Sequence, residues 1–241
     1  PLVIASAAIG FSQYANYFFH FTYLQEKIVS GAVVVTVISL LYRRIESIGK
    51  ISVVLWATVI GTLLWIIAGG IIHGNFLAPL QHINDGVQLN YAFVAALGFA
   101  SVKTIYSYLG YYNVCHLGSE IINPSKNIPR SMFISITGIA LLYLSMNISI
   151  ASVLPYQTIV ESKYVVSSFI ETLYGPIAGS VVTVLILIVA FASLFAATLG
   201  YSRIPYAAAQ NKSFFNYFGA VHPKLHIPHR SLITLGLIAF I

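Results

Sequence analysis

The residues best equipped for chemistry crowd one short stretch, Lys103 followed by Tyr106-Ser107-Tyr108-Leu109-Gly110-Tyr111-Tyr112-Asn113. The lysine brings a cation, the tyrosine and serine hydroxyls donate and accept hydrogen bonds, and the asparagine amide does both. Gly110 allows the backbone to leave helical geometry. Groups of these kinds bind and orient a polar molecule. Bond-making chemistry has no comparable support: no histidine opens an H-E-x-x-H and no G-x-S-x-G occurs, so the common hydrolase signatures are absent. Cys115 and His116 are adjacent, but neighbours on a helix point about 100° apart. With no further ligand cluster, they do not read as a metal pair. The expectation is a protein that is not an enzyme and uses neither cofactor nor metal.

Composition decides what must position that stretch. Of 241 residues, 58% are hydrophobic and only 7% charged, where soluble domains carry roughly 25% charged residues. This excludes a soluble globule, and it excludes disordered and nucleic-acid-binding chains, which need charge-rich surfaces. A single cysteine rules out an internal disulfide framework. Apolar runs recur at 2–19, 29–42, 51–72, 91–116, 132–154, 177–201 and 232–241. In lipid every backbone N–H and C=O must be paired within its segment, so such runs read as transmembrane helices. The run from Val29 is short. The last run is incomplete, since a span needs roughly twenty residues. The chain also starts at Pro1 inside an apolar stretch, so the expectation is one transmembrane domain from the middle of a longer protein.

Charge in the joining segments alternates. Segments 43–50, 117–130 and 202–230 carry a net +7, the other three carry −2, and Lys103 inside a span completes the total of +6. By the positive-inside rule the first set is cytoplasmic. On the outer side, residues 164–174 place Val165, Val166, Phe169, Ile170 and Leu173 at helical spacing, which predicts a short amphipathic helix that could act as a lid over the bundle. On the inner side, residues 206–218 combine three alanines with Phe214, Phe215, Tyr217 and Phe218, as an interfacial membrane anchor would. Asn211-Lys212-Ser213 fits a glycosylation pattern, but on a side where it would not be used.

Polar groups at membrane depth are expensive and usually face a cavity or a partner. A Gly-interrupted span points to a discontinuous transporter helix whose half-helix N-terminus can bind an anionic group. A packing face built from Gly and Ser is the alternative. Gln13, Tyr14 and Asn16 on the first span line a vestibule or bond between helices, and the second is favoured.

Residues 106–130, YSYLGYYNVCHLGSEIINPSKNIPR, resemble the sixth transmembrane helix and following loop of permeases of the amino acid–polyamine–organocation superfamily. The most specific part is the E-x-x-N-P-x-[RK]-N-[IL]-P-[RK] pattern at 120–130. Residues 200–222, GYSRIPYAAAQNKSFFNYFGAVH, look like the end of that family's eighth helix and its loop, and residues 41–69 resemble its fourth-to-fifth-helix region. The resemblance implies an all-α inverted-repeat bundle of the LeuT type, of which this chain would supply helices three to nine of twelve. Substrate would bind at the midplane between broken helices one and six, and helix one would lie upstream of Pro1. The unwound stretch maps onto Tyr106, Ser107, Tyr108, Leu109 and Gly110, whose freed carbonyls can accept a substrate ammonium, while N–H groups from Gly110 to Asn113 face polar or anionic groups. Tyr106 maps as an aromatic gate, with an ordinary core tyrosine as the alternative. Ser193, Phe195 and Ala197 map as cavity-facing positions of helix eight. Some proton-coupled relatives carry a lysine midway along helix five; here the nearest equivalent is Thr58, so coupling is not expected to run through that position.

The implied function is secondary transport of amino acids by alternating access in the plasma membrane, with an amino acid and the lipid bilayer as partners, a proton as a candidate coupling partner and no nucleic acid. Neutral substrates are favoured: no Asp or Glu lies mid-span, and Lys103, about one turn before Tyr106, would repel a dibasic one. A seven-helix receptor or channel is the alternative class. The topology is directly checkable. Ser47→Cys and Ser125→Cys should react with a membrane-impermeant thiol reagent from the cytoplasmic side only, and labelling of either in intact cells overturns the orientation.

Overall fold

The computed structural model describes residues 2–43, 45–77, 90–225 and 227–240, without the side chains of Ile45, Tyr106, Leu117, Ser119 and Glu120. Of the charge partition, Arg44, Asp85 and the Glu120 side chain therefore lie outside the described residues. Among those described, all regular structure is helical: α1 Leu2–Phe19, α2 Tyr23–Leu41, α3 Ile45–His73, α4 Tyr91–Tyr108, α5 Pro124–Ala151, α6 Tyr156–Glu161, α7 Val165–Tyr174, α8 Pro176–Gln210 and α9 His229–Ile238, with 3-10 segments at Tyr111–Glu120 and Asn216–Gly219. Four helices, Tyr23–Leu41, Glu46–His73, Pro124–Ala151 and Pro176–Gln210, are long and apolar enough to cross a membrane. The chain is an all-α, multi-pass membrane protein.

Several helices outrun the apolar stretches that announce them. The second starts at Tyr23 rather than Val29, the third at Ile45 rather than Ile51, the fifth at Pro124 rather than Met132, and α8 continues to Gln210 rather than Tyr201. Hydropathy marks only the part of a helix that lies in hydrocarbon, whereas the intrahelical hydrogen bonds continue into the interface until a cap stops them. At α2 the start is a capping box. The Thr22 side chain receives the N–H three residues on, and the Thr22 N–H donates to Gln25 Oε1 at 2.8 Å. At α5, Pro124 occupies the first turn, where its missing N–H costs nothing.

The described chain forms two compact units, Pro1–Thr62 with Ser180–Ile241, and Leu63–Gly179. In the first, Ile4 and Ala8 of α1, Val34, Val37 and Leu41 of α2, Ile48 of α3, Leu194 and Phe195 of α8, Ile227, and Leu232 of α9 form one buried cluster. The spacing of 34, 37 and 41 keeps that set on one face of α2. Polar bonds tie α1 to α2. Ser30 Oγ donates to Ser12 Oγ at 2.9 Å, Asn16 Nδ2 donates to Glu26 Oε1 at 2.8 Å, and Asn16 Oδ1 accepts the Phe21 N–H. Asn16 thus serves the turn between the helices.

In the second unit, Gly70 in the last turn of α3 and Gly74 just after it form a G-x-x-x-G face against Ser149 and Ser152 at the end of α5. Ser149 Oγ donates to the Ile67 carbonyl at 3.3 Å and the Asn75 N–H to the Ser152 carbonyl at 2.8 Å. Small residues let the backbones approach, which is how helices associate where lipid removes the hydrophobic drive. The amphipathic α7 forms as the spacing predicts. Its Phe169 and Ile170 are fully buried, and Gly69 faces Leu173, Tyr174 and Phe169. Elsewhere large apolar side chains point outward, among them Val53, Val54, Trp56 and Leu64 of α3, as lipid-facing positions must.

The close approach at Gly70 yields a test. A Cβ there would come within 2.6 Å of Ser149 Cα, whereas one at Gly61 meets nothing within 4 Å. Backbone cannot yield as a side-chain tip can, so overpacking should cost about 1–3 kcal/mol or more. Gly70→Leu should lower the thermal unfolding temperature of the detergent-solubilised protein by several degrees, whereas Gly61→Ala should leave it unchanged or raise it.

Candidate functional site

The chemically dense stretch falls where α4 ends. Asn90 starts that helix, its Oδ1 accepting the Phe93 N–H at 2.9 Å. Regular α-helix persists through Tyr108, so Tyr106, Ser107 and Tyr108 remain helical and unwinding is confined to Leu109 and Gly110. Gly110 lies in the left-handed region, φ 113 and ψ −19, which a Cβ disfavours. A glycine in this conformation just past a helix is the usual way to stop it. The chain restarts as a 3-10 helix rather than an α half-helix, Tyr111–Glu120, with Asn113 N–H donating to the Gly110 carbonyl at 3.0 Å. As at any helix start, the Tyr111 and Tyr112 N–H groups precede the first intrahelical bond.

Several groups converge on the break. The Ser107 hydroxyl turns back to the Lys103 carbonyl at 3.0 Å, which removes it as a free donor. The Ser107 carbonyl accepts the Tyr143 hydroxyl of α5 at 3.0 Å, and the Tyr143 ring meets Tyr108 edge-on, centroids 5.5 Å apart at 78°. Asn113 Oδ1 is buried and has no hydrogen-bond partner among the described residues. A buried acceptor in that state carries a desolvation penalty until a donor arrives. Beyond it, Tyr111, Tyr112 and His116 stack edge to face, at 5.4 Å and 6.1 Å.

The loop after the break owes its course to the E-x-x-N-P pattern. Asn123 takes φ 50, one of the few non-glycine residues that tolerates it. Its carbonyl accepts the N–H groups of Lys126 and Asn127 at 3.1 Å and 3.0 Å, and Asn127 Nδ2 donates to the Ile122 carbonyl at 2.6 Å. The pattern is thus a helix-initiating device for α5, which carries Tyr143.

The expected site residues divide between the units. Ser107, Tyr108, Leu109, Gly110 and Asn113 gather at the break in the second unit, with Lys103 exposed on α4. Tyr106 lies in the last turn of α4, its side chain outside the described residues. Ser193, Phe195 and Ala197 belong to the first unit. Ser193 is exposed with its hydroxyl on the Val189 carbonyl at 3.1 Å, Ala197 is half-buried, and Phe195, 1% exposed, belongs to the apolar cluster. Thr58 is half-buried; its hydroxyl donates to the Val54 carbonyl at 3.0 Å and its backbone carbonyl accepts the Thr62 hydroxyl at 2.8 Å. Sequence reasoning passed over Tyr143, whose one signal was a phenol midway along its span.

A family model described as amino acid permease matches residues 1–241. The serine/threonine exchanger SteT of Bacillus subtilis (strain 168) is 29% identical over 147 residues, 58% of this chain and 34% of that protein. The uncharacterized amino acid permease YecA of the same organism is 24% identical over 245 residues, 99% of this chain and 54% of that protein. The chloroplastic cationic amino acid transporter 6 of Arabidopsis thaliana is 28% identical over 212 residues, 85% of this chain and 35% of that protein. The chain spans about half the length of these relatives or less.

The break can be probed without any ligand. A Cβ on Gly110 meets only Asn113 Nδ2, at 3.6 Å, so Gly110→Ala is limited by backbone strain alone. The cost should be about 1–2 kcal/mol, read as a lowered unfolding temperature. Gly98→Ala, in the interior of α4 with nothing within 4 Å, should be neutral or stabilising by up to about 1 kcal/mol.

Proposed function

The chain belongs to the amino acid permease family, and from that membership we propose that it works as part of a secondary transporter moving amino acids, neutral ones foremost, by alternating access. The observation that carries the reading is the break at Gly110, a left-handed residue inside an apolar segment, with the acceptor Asn113 Oδ1, unpartnered among the described residues, beside it. An amino acid needs acceptors for its ammonium and N–H donors for its carboxylate. A helix end followed by a new helix start offers both kinds within a few residues.

In this reading Tyr108 and Leu109 present carbonyls to the ammonium, Asn113 Oδ1 adds an acceptor, and the N–H groups after Gly110 face the carboxylate. Tyr106 stands as the aromatic gate. For Ser193, Phe195 and Ala197 a role in the cavity rests on the family resemblance alone. Neutral substrates are supported by the exposed cation Lys103 on the same helix and by the absence of mid-span carboxylates. They also match the printed name of the serine/threonine exchanger, while the cationic transporter's name marks the contrary case. The charge partition supports an orientation with 43–50, 117–130 and 202–230 on the cytoplasmic side, and residence in the plasma membrane rests on the family resemblance alone. Thr58, a hydroxyl without a titrating charge near neutral pH, leaves any proton coupling to other residues.

The test is exchange by the full-length protein in liposomes. Uptake of labelled serine should depend on an internal neutral amino acid and should exceed uptake of lysine. Gly110→Leu, with normal reconstitution, should reduce it at least about tenfold, equivalent to about 1.4 kcal/mol of lost binding. Undiminished exchange by that variant defeats the assignment of the site.

A further inference from the structure

We propose that Tyr143 is a positioning residue that sets where α4 stops, and thereby holds the break open. The geometry is the 3.0 Å hydrogen bond from its hydroxyl to the Ser107 carbonyl, together with the edge-on packing of its ring on Tyr108. The last four carbonyls of a helix have no partner within it, and inside a bilayer no water replaces one. Ser107 contributes one of those carbonyls, since α4 ends at Tyr108. Two donors can serve it, and the turn of the chain at Gly110 decides between them. Either the helix continues and Tyr111, four residues on, donates its N–H, or a side chain from elsewhere donates instead. Tyr143 is that side chain. It lies on α5, in the same compact unit as the break, so the register of the stop is fixed by a neighbouring helix as well as by Gly110.

Two consequences follow. Without the phenol hydroxyl, Ser107 draws the chain toward continued helix, and the N–H groups beyond Gly110 are consumed rather than offered. The Tyr108 and Leu109 carbonyls, which the transport reading assigns to the substrate ammonium, then lose their orientation. This second consequence rests on that reading, whereas the first does not. Sequence motifs are silent about Tyr143, because the hydrogen bond joins positions 36 residues apart.

Tyr143→Phe in the full-length protein keeps the ring and removes only the donor. Amide hydrogen exchange should slow at Tyr111, the N–H that a continued helix hands to Ser107. The KM for amino acid uptake should rise about fivefold, the size of one net hydrogen bond, with kcat retained. A merely structural role would lower yield or unfolding temperature without protecting that one amide. Unchanged Tyr111 exchange overturns the proposal. Slowed exchange with unchanged KM overturns the link to substrate, and slowed exchange in a protein that moves no amino acid even unmutated defeats the transport reading while leaving Tyr143 in place. Should Tyr143→Phe not fold, 3-fluorotyrosine at position 143 keeps the ring and sharpens the donor. The carbonyl resonance of 13C-labelled Ser107 must then move, and an unmoved resonance overturns the proposal.

Discussion

Every backbone polar group of this chain that lies in hydrocarbon must find its partner inside the protein, and the rest of the structure depends on that constraint. It forces the apolar segments into helices and makes each departure from a helix conspicuous, because the groups released there have no water to turn to. At Leu109 and Gly110 the departure occurs inside an apolar segment. Two of the needs at the break are visible: the Ser107 carbonyl, met by the Tyr143 hydroxyl, and Asn113 Oδ1, buried and unmet among the described residues. The first accounts for a stable break, and the second marks the acceptor that the proposed binding site would use.

The remaining architecture can be read as support for that interruption. In the unit that contains it, Gly70 and the following Gly74 bring the end of α3 against Ser149 and Ser152 near the end of α5, and α7 packs Phe169 and Leu173 against Gly69. Tyr143 sits on the same α5, whose start is defined by Asn123, Pro124 and Asn127. A helix anchored at both ends is a rigid place from which to hold a neighbour's carbonyl. In the other unit a single apolar cluster, joined by the Ser12–Ser30 and Asn16–Glu26 bonds, packs α1, α2, α8 and α9 in the same manner.

Much of this was legible in the sequence because lipid simplifies the code. Long uncharged runs announced the helices, Gly110 announced the interruption, and the Asn123-Pro124 pattern marked the start of α5. Helix ends were not legible, since hydropathy falls at the interface while hydrogen bonding continues; Tyr23, Ile45 and Gln210 all lie beyond their apolar runs. The resemblance placed the unwinding from Tyr106 to Gly110, yet the helix holds to Tyr108. The partner that satisfies Ser107 comes from a different helix and leaves no trace in local spacing. Nor could spacing show that Phe195 packs into an apolar cluster.

The central claim, that the groups released at Gly110 take up an amino acid, is tested most directly by solid-state NMR of the full-length protein in bilayers. A 15N-labelled neutral amino acid would be bound to protein carrying 13C carbonyls at Tyr108 and Leu109. The account predicts a dipolar coupling between the substrate nitrogen and at least one of those carbons, lost on adding excess unlabelled substrate. Bound amino acid with no coupling to either carbonyl would contradict it.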